Sequence, residues 1–139
     1  MAMQTTVERV DGRVPVTVMA LSGELDASNY LRLVDDVRPL YAAGARHLLL
    51  DLSDLTFIAS SGLVALYSIL MVMQGKEPPD PEYGWSALHE MERGVEEGAT
   101  QDVVRLSGVQ PAVGEVLQRT GIDALFPSHP DRESALAAF

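Results

Sequence analysis

Ser60 and Ser61 are the residues whose type and position point most directly to chemistry. They follow an apolar segment and a short polar turn, and they open a second apolar segment with helical character. Free backbone N–H groups and the positive end of the helix dipole favour an anion at such a position. A hydroxyl there is neutral until phosphorylation gives it roughly two negative charges. The position therefore allows two readings of Ser60, a helix N-cap, which the local pattern alone favours, and a phosphorylation switch.

The other polar residues form no pattern typical of a catalytic or metal site. His47, His89 and His129 lack metal-ligand spacing, and no serine has a matching His and Asp constellation. Asp51 lies at the end of a predicted strand, and we interpret it as a structural acid rather than a catalyst. The sequence has no glycine–lysine phosphate loop. We therefore expect no cofactor, no bound metal and no enzymatic activity.

Composition limits the class of protein and its partners. The chain has 139 residues with a net charge of -10, which predicts one acidic domain. Nucleic acids and anionic membranes require a basic surface, so we expect neither as the main partner. There is no cysteine, no signal peptide is recognisable, and the longest apolar stretch is too short to span a bilayer. These features predict a cytoplasmic protein.

Alternating strands and helices must position the serines. The predicted strands are Thr5 to Val10, Val14 to Leu21, Arg46 to Leu52, Asp102 to Leu106 and, as a short apolar segment, Ile122 to Phe126. The predicted helices run from a cap at Ser28 or Asn29 to Gly44, from Ser60 to Gln74, from Pro111 to Gly121, and from Asp131 to Phe139. Residues 22–26 read as a polar turn, and Pro39 predicts a kink or an early helix end.

This order predicts an α/β domain with a mixed, mostly parallel sheet of four to five strands and about four helices. The continuous Leu48-Leu49-Leu50 run indicates a central strand that is buried on both faces.

Residues 75–100 interrupt this order as an acidic insertion bounded by proline and glycine, with a short predicted helix from Ser86 to Val95. The preceding helix is apolar nearly all round, so something must cover it. The sequence leaves two alternatives for this cover. The insertion could fold back onto the helix through Trp85 and Leu88, or a second copy of the protein could form a homodimer through residues 60–74.

Four fragments of the chain together resemble the STAS domain, which is found in bacterial anti-sigma factor antagonists and in the tails of sulphate transporters. Their order and spacing match over almost the whole chain except residues 75–100. The fragments are Gly23-Glu24-Leu25-Asp26, Leu49-Leu50-Asp51-Leu52-Ser53, Phe57-Ile58-Ala59-Ser60-Ser61-Gly62-Leu63 and Leu117-Gln118-Arg119-Thr120-Gly121-Ile122.

The resemblance implies an anti-sigma factor antagonist that is switched at Ser60, with Ser61 as the alternative site. In the family, the unphosphorylated antagonist binds an anti-sigma factor that is also a serine kinase. Phosphorylation blocks that binding, and a phosphatase restores it. The resemblance places Asp26 near the phosphoacceptor and places Ser61, Gly62 and Leu63 on the same partner-facing edge.

One residue departs from the family pattern. The phosphoacceptor is usually preceded by aspartate, but position 59 is alanine. Two further readings therefore remain beside the switch. One is a STAS scaffold, without phosphorylation, of a larger signalling or transport complex, and the other is a small-ligand sensor.

Overall fold

Strands and helices alternate along the chain as the sequence predicts. The computed structural model describes residues 3–78, 93 and 101–139. The elements are β1 (Gln4–Asp11), β2 (Pro15–Leu25), α1 (Tyr30–Ala42), β3 (Leu48–Ile58), α2 (Ser60–Met73), β4 (Val104–Ser107), α3 (Pro111–Thr120), a 3-10 helix (Ile122–Leu125), β5 (Ser128–His129) and α4 (Arg132–Ala138).

The five strands form a sheet in the order β1-β2-β3-β4-β5. β1 and β2 are antiparallel, whereas each of the other neighbouring pairs is parallel. This arrangement confirms the predicted mixed, mostly parallel sheet, with the opening hairpin as its antiparallel edge.

β3 is the central strand, and its first residues are buried on both faces. Leu48 and Leu50 enter the larger core, which is filled from α1, α2 and α3. Leu49 points to the opposite face, where it packs with Val18 and with Ala135 of α4. All three leucines are 0% exposed. The prediction from the Leu48-Leu49-Leu50 run is therefore confirmed.

β2 and β3 both extend beyond their predicted ends. Residues 22–26 were expected to form a turn, yet β2 continues to Leu25, and β3 continues past Leu52 to Ile58. The two extensions pair with each other through irregular register, with Ser22 opposite Asp54 and Leu25 opposite Ile58. Backbone pairing between the strands outweighs the polar side chains, and register shifts accommodate the mismatch. The two strands consequently end together.

The early end of α1 at Pro39 and the fifth strand at Ile122 to Phe126 are wrong predictions. Pro39 lies inside α1 without ending it, and the helix continues to Ala42. The carbonyl that loses its partner belongs to Asp35, an exposed residue whose carbonyl water can reach. The fifth strand is not Ile122 to Phe126 but Ser128–His129. Ile122 and Leu125 are three residues apart and both buried, which is a 3-10 rather than a strand spacing.

The long helix α2 is largely buried. Ten of its 14 residues are buried, and among its apolar residues only Val64 and Met71 are partly exposed. The predicted insertion helix, with Trp85 and Leu88, lies outside the described residues apart from Arg93. Within the described part of the chain, no helix is both long and apolar enough to cross a membrane.

Candidate functional site

The site is built where β2 and β3 end at the same edge of the sheet. The backbone N–H of Ala59 donates to the carbonyl oxygen of Leu25 at 2.9 Å. Asp26 follows Leu25 directly, and Ser60 follows Ala59 directly. The hydrogen bond therefore brings the turn that begins at Asp26 beside the N-terminus of α2. In parallel α/β sheets, binding sites commonly lie at this carboxyl end of the strands.

Gly62 permits the close approach of α2 to β2. A Cβ atom at this position would lie 2.6 Å from Ile58 Cγ1, 2.9 Å from Leu25 Cγ and 3.1 Å from the Leu25 carbonyl oxygen. Ile58 Cγ1 and Leu25 Cγ lie at the near end of their side chains, one bond from Cβ, and the third atom is backbone, so none can move aside cheaply. The first turn of α2 therefore requires glycine here for steric reasons.

Ser60 is the first residue of α2, and its side chain is exposed. The N-cap residue is Ala59, and no side chain caps the helix. The alternative that Ser60 is merely the cap is thus wrong, because β3 extends to Ile58 and shifts the cap by one residue. Among the described residues, Ser60 makes no side-chain hydrogen bond. Its hydroxyl is accordingly available to a partner or an enzyme.

The other residues expected at this edge differ in their exposure. Asp26 and Ser61 are partly exposed, whereas Gly62 and Leu63 are buried. Asp26 Oδ1 accepts hydrogen bonds from the Ser28 hydroxyl at 2.5 Å and from the Ser28 backbone N–H at 2.9 Å. These bonds from Ser28 hold the pKa of Asp26 below its usual value. A negative charge therefore stands beside the first turn of α2 at neutral pH.

Asn29 fixes the turn that carries Asp26, a role that the sequence analysis missed. Its side chain is buried, with Oδ1 accepting from the Asp26 backbone N–H at 3.0 Å and Nδ2 donating to the Glu24 carbonyl oxygen at 2.8 Å. Asn29 occupies the N-cap position of α1 but makes no capping hydrogen bond. Its side chain stabilises the turn before α1 and does not cap the helix. The signal in the sequence was an asparagine three residues after the aspartate.

Phe57 is a second residue that the sequence analysis left out of the site. It lies opposite Glu24 near the end of β3, and it is 48% exposed. Large exposed aromatic side chains are enriched at protein interfaces. The predicted end of β3 at Leu52 hid this residue, because its exposure depends on the extension of the strand.

Asp51 and His129 each contact an arginine side chain. Asp51 lies within β3, where it accepts hydrogen bonds from Ser53 and from Arg132 of α4. His129 Nε2 lies 3.2 Å from Arg105 Nη1. Burial and the neighbouring Arg105 charge lower the pKa of His129. Within the described ranges, no group of three or more histidine or acidic side chains could hold a metal ion.

The sequence model of the STAS domain matches residues 6–75, half of the chain. The chain belongs to the STAS domain family. The matched range contains Asp26, Phe57 and Ser60, and it ends where the predicted insertion begins.

Similar proteins cover nearly all of the chain. A protein assigned as the anti-sigma factor antagonist BtrV of Bordetella bronchiseptica is 26% identical over 137 residues, which are 99% of this chain and 95% of that protein. An anti-sigma factor antagonist from Mycobacterium paratuberculosis has a crystal structure that matches with a TM-score of 0.67 and 26% identity, covering 99% and 93% of the two chains. The phosphorylated form of SpoIIAA from Bacillus shares the fold, with a TM-score of 0.59, 15% identity and coverage of 97% and 98%.

Proposed function

We propose that this STAS domain is an anti-sigma factor antagonist that binds an anti-sigma factor with serine kinase activity through the edge formed by Asp26 and the start of α2. Phosphorylation of Ser60 releases the partner, and a phosphatase reverses the modification. The observation that carries the proposal is the exposed Ser60 hydroxyl, which makes no hydrogen bond within the described part of the chain, at the first position of a helix beside an ionised carboxylate.

Phosphorylation at Ser60 would act on the interface rather than on the fold. Within the described structure, the backbone N–H groups of Ser60 and Ser61 have no partner, whereas the Gly62 N–H donates to the Ala59 carbonyl oxygen at 2.9 Å. The two free groups can receive the phosphate oxygens. The domain therefore tolerates the modification. A partner that fits the neutral hydroxyl meets roughly two added negative charges next to Asp26, together with a bulkier side chain. Charge repulsion and misfit both favour release.

Alanine at position 59, in place of the usual aspartate, leaves the backbone conformation before Ser60 unchanged. Its contribution to the site is a backbone hydrogen bond to Leu25, which any residue other than proline can make. The extended conformation of Ala59, with φ -91° and ψ 172°, is likewise open to any L-residue. The missing aspartate thus removes a negative charge but not the geometry of the site.

The similar proteins support the same role. The Bordetella and Mycobacterium proteins are described as anti-sigma factor antagonists, and SpoIIAA has been solved in a phosphorylated form. We extend that role to this chain as a binding module of the cytoplasm rather than an enzyme. The partner-facing residues are Asp26, Ser60 and Ser61, with Ser61 as the alternative phosphoacceptor and Phe57 as an added contact. Gly62 and Leu63, which the resemblance places on the same edge, are buried and support it from the core.

A scaffold without phosphorylation is the competing function. It is favoured by Ala59, because the carboxylate that usually precedes the phosphoacceptor is absent. A homodimer through α2 remains a prediction, and the small accessible apolar surface of that helix argues against it. Both the switch and the scaffold require a protein partner, so the test must separate binding from switching.

Affinity capture from an extract of the native cell separates the two. The baits are the wild type, Ser60→Asp and Ser60→Ala, and mass spectrometry identifies partners and phosphosites. We expect the wild type and Ser60→Ala to recover an anti-sigma factor with a kinase domain, and Ser60→Asp to lose it. Recovery of the same partners by all three baits, with no phosphate on Ser60, would indicate a scaffold.

A further inference from the structure

A pocket at the end of the sheet opposite Ser60 has the composition of an anion site. Its volume is about 440 Å³, within the range of roughly 300 to 1,000 Å³ for small-molecule sites. The β1–β2 hairpin, the end of α1 and the start of β3 form its walls. β3 runs from this pocket to the Ser60 edge over 11 residues, which separates the two sites by roughly 30 Å.

The lining combines an apolar wall with nitrogen donors. Arg9, Arg46 and His47 line the pocket, and none of the lining residues that the structure describes is acidic. The chain as a whole carries a net charge of -10 with ten lysine and arginine residues. Arg9 and Arg46 therefore place two positive charges around one concave surface of an acidic chain, and Arg9 is ion-paired with Asp11 at 3.2 Å. The apolar wall consists of Val14, Pro15, Leu40, Ala43 and Ala45.

The arginines keep donors available. Arg46 Nη1 donates to the carbonyl oxygens of Tyr41 and Ala45 at 2.8 Å each, and the guanidinium stacks over the Tyr41 ring at 4.0 Å. These contacts fix the Arg46 side chain, and its Nε and Nη2 groups make no hydrogen bond among the described residues. Arg9 uses only Nε, at 3.2 Å from Asp11, in the part of the chain that the structure describes. A planar guanidinium with free N–H groups suits a carboxylate or a phosphate.

His47 closes the inner side of the pocket. Its backbone carbonyl oxygen accepts from the Thr17 N–H at 2.9 Å, and its ring packs edge-on against Phe139. Nδ1 is buried and lacks a hydrogen-bond partner in the described structure. The imidazole is therefore held in place by packing and by the backbone rather than by a polar partner.

We propose that this pocket binds a small organic anion, with its carboxylate or phosphate group on Arg9 and Arg46 and its apolar body against Val14, Pro15 and Leu40. The site is separate from the proposed partner-binding edge. An inorganic anion would leave the apolar wall unused, and a neutral apolar molecule would leave the two guanidinium groups unpaired.

An NMR titration of the full chain tests the site, with phenyl phosphate as the probe. Inorganic phosphate and benzyl alcohol are titrated separately, to represent the two halves of the probe, its anionic group and its apolar ring. We expect saturable shifts of the Gly12, Gly44 and Ala45 amides with phenyl phosphate, and clearly weaker binding of each half. Arg9→Gln lies at an exposed side chain and should weaken the probe about tenfold. Arg46→Gln should do the same, whereas Arg119→Gln, on the exposed surface of α3, should leave the affinity unchanged.

Three outcomes would overturn the site. They are shifts that do not saturate, equal binding of phenyl phosphate and either half, or an equal loss of affinity in Arg9→Gln and Arg119→Gln. The amide spectrum of each variant, compared with the wild type away from the pocket, separates lost binding from lost folding.

Discussion

Ala59 donates its backbone N–H to the carbonyl oxygen of Leu25 at 2.9 Å, and this bond follows the last β2–β3 pair, Leu25 opposite Ile58, directly before Asp26 and Ser60. It depends on the extension of β2 and β3 beyond their hydrophobic runs. The phosphoacceptor proposed here is therefore positioned by backbone pairing, while the side chains at the edge remain available for a partner.

Gly62→Ala should destabilise the domain by about 1–3 kcal/mol, the usual cost of overpacking a core. The new methyl group would lie 2.6 Å from Ile58 Cγ1 and 2.9 Å from Leu25 Cγ. Urea unfolding measures the change in free energy. Gly114→Ala in α3 is the matched control, because its Cβ would meet only Val109 Cγ1, at 3.4 Å. The control should be neutral or stabilising by up to about 1 kcal/mol. Equal effects at the two glycines would contradict the close approach at Gly62.

Ser60→Ala should leave the free energy of unfolding within about 0.5 kcal/mol of the wild type, as is usual for exposed sites without special contacts. Ser60 caps nothing, so its loss removes no hydrogen bond that the described structure contains. Asp131→Ala is the contrasting variant, because Asp131 Oδ1 accepts from the Ser134 N–H at 2.8 Å and caps α4. Thermal unfolding should show a lower midpoint for Asp131→Ala only. A lower midpoint for Ser60→Ala as well would instead show that the Ser60 side chain caps α2.

The Asp51–Arg132 pair should stabilise the domain by about 1–2 kcal/mol at neutral pH. Arg132 joins α4 to β3 through Asp51, at 2.8 Å, and to β1 through Glu8. Burial of Asp51 opposes its ionisation, but the hydrogen bonds from Ser53 and Arg132 outweigh burial and lower its pKa. Urea unfolding at pH 7 should show that Arg132→Gln lowers the free energy of unfolding by this amount.

The same pair predicts a pH dependence. Because the pKa of Asp51 is lowered on folding, its stabilising contribution is complete above the unfolded pKa of about 3.9. It is lost as the pH falls through the lower pKa of the folded state. The stability difference between the wild type and Asp51→Asn should therefore shrink as the pH is lowered below about 4. Asp54→Asn, exposed on the same strand, is the control, and a difference for Asp51→Asn that is unchanged at acidic pH would refute the assignment.

Phe57→Ser should weaken partner binding by about tenfold or more while changing stability little, since aromatic anchors often contribute more than 1 kcal/mol at interfaces. Phe57 is 48% exposed beside the Ser60 edge, so it adds little to the core. Val7→Ser is the matched control, because Val7 is 49% exposed on β1, at the edge strand of the sheet. Titration calorimetry with the recovered partner measures the affinity of each variant. Equal losses of affinity would mean that Phe57 is not a specific contact.

The sequence predicts the fold well because the apolar patterns are strong. The Leu48-Leu49-Leu50 run identifies a strand buried on both faces, and the structure divides these residues between two cores. The extensions of β2 and β3 could not be predicted from composition. Residues such as Ser22 and Asp54 are polar, and they are in strands because each extension supplies backbone partners for the other.

The site is predicted in part for the same reason. The Ser60 turn carries a recognisable motif, and its place at the start of α2 follows from the apolar segment after it. The N-cap shifts to Ala59 because the end of β3 fixes the backbone there. The exposure of Phe57 depends on the long-range pairing of β3 with β2, which no local pattern contains.

The most direct test of the switch is phosphosite mapping of the chain after incubation with its recovered partner, magnesium and ATP, followed by gel filtration of the mixture. We expect mapping to find one phosphate on the wild type and on Ser61→Ala, and none on Ser60→Ala. We expect gel filtration to separate the phosphorylated protein from the partner. Phosphate on Ser61 alone would contradict the assignment, as would a partner that stays bound to a chain phosphorylated at Ser60.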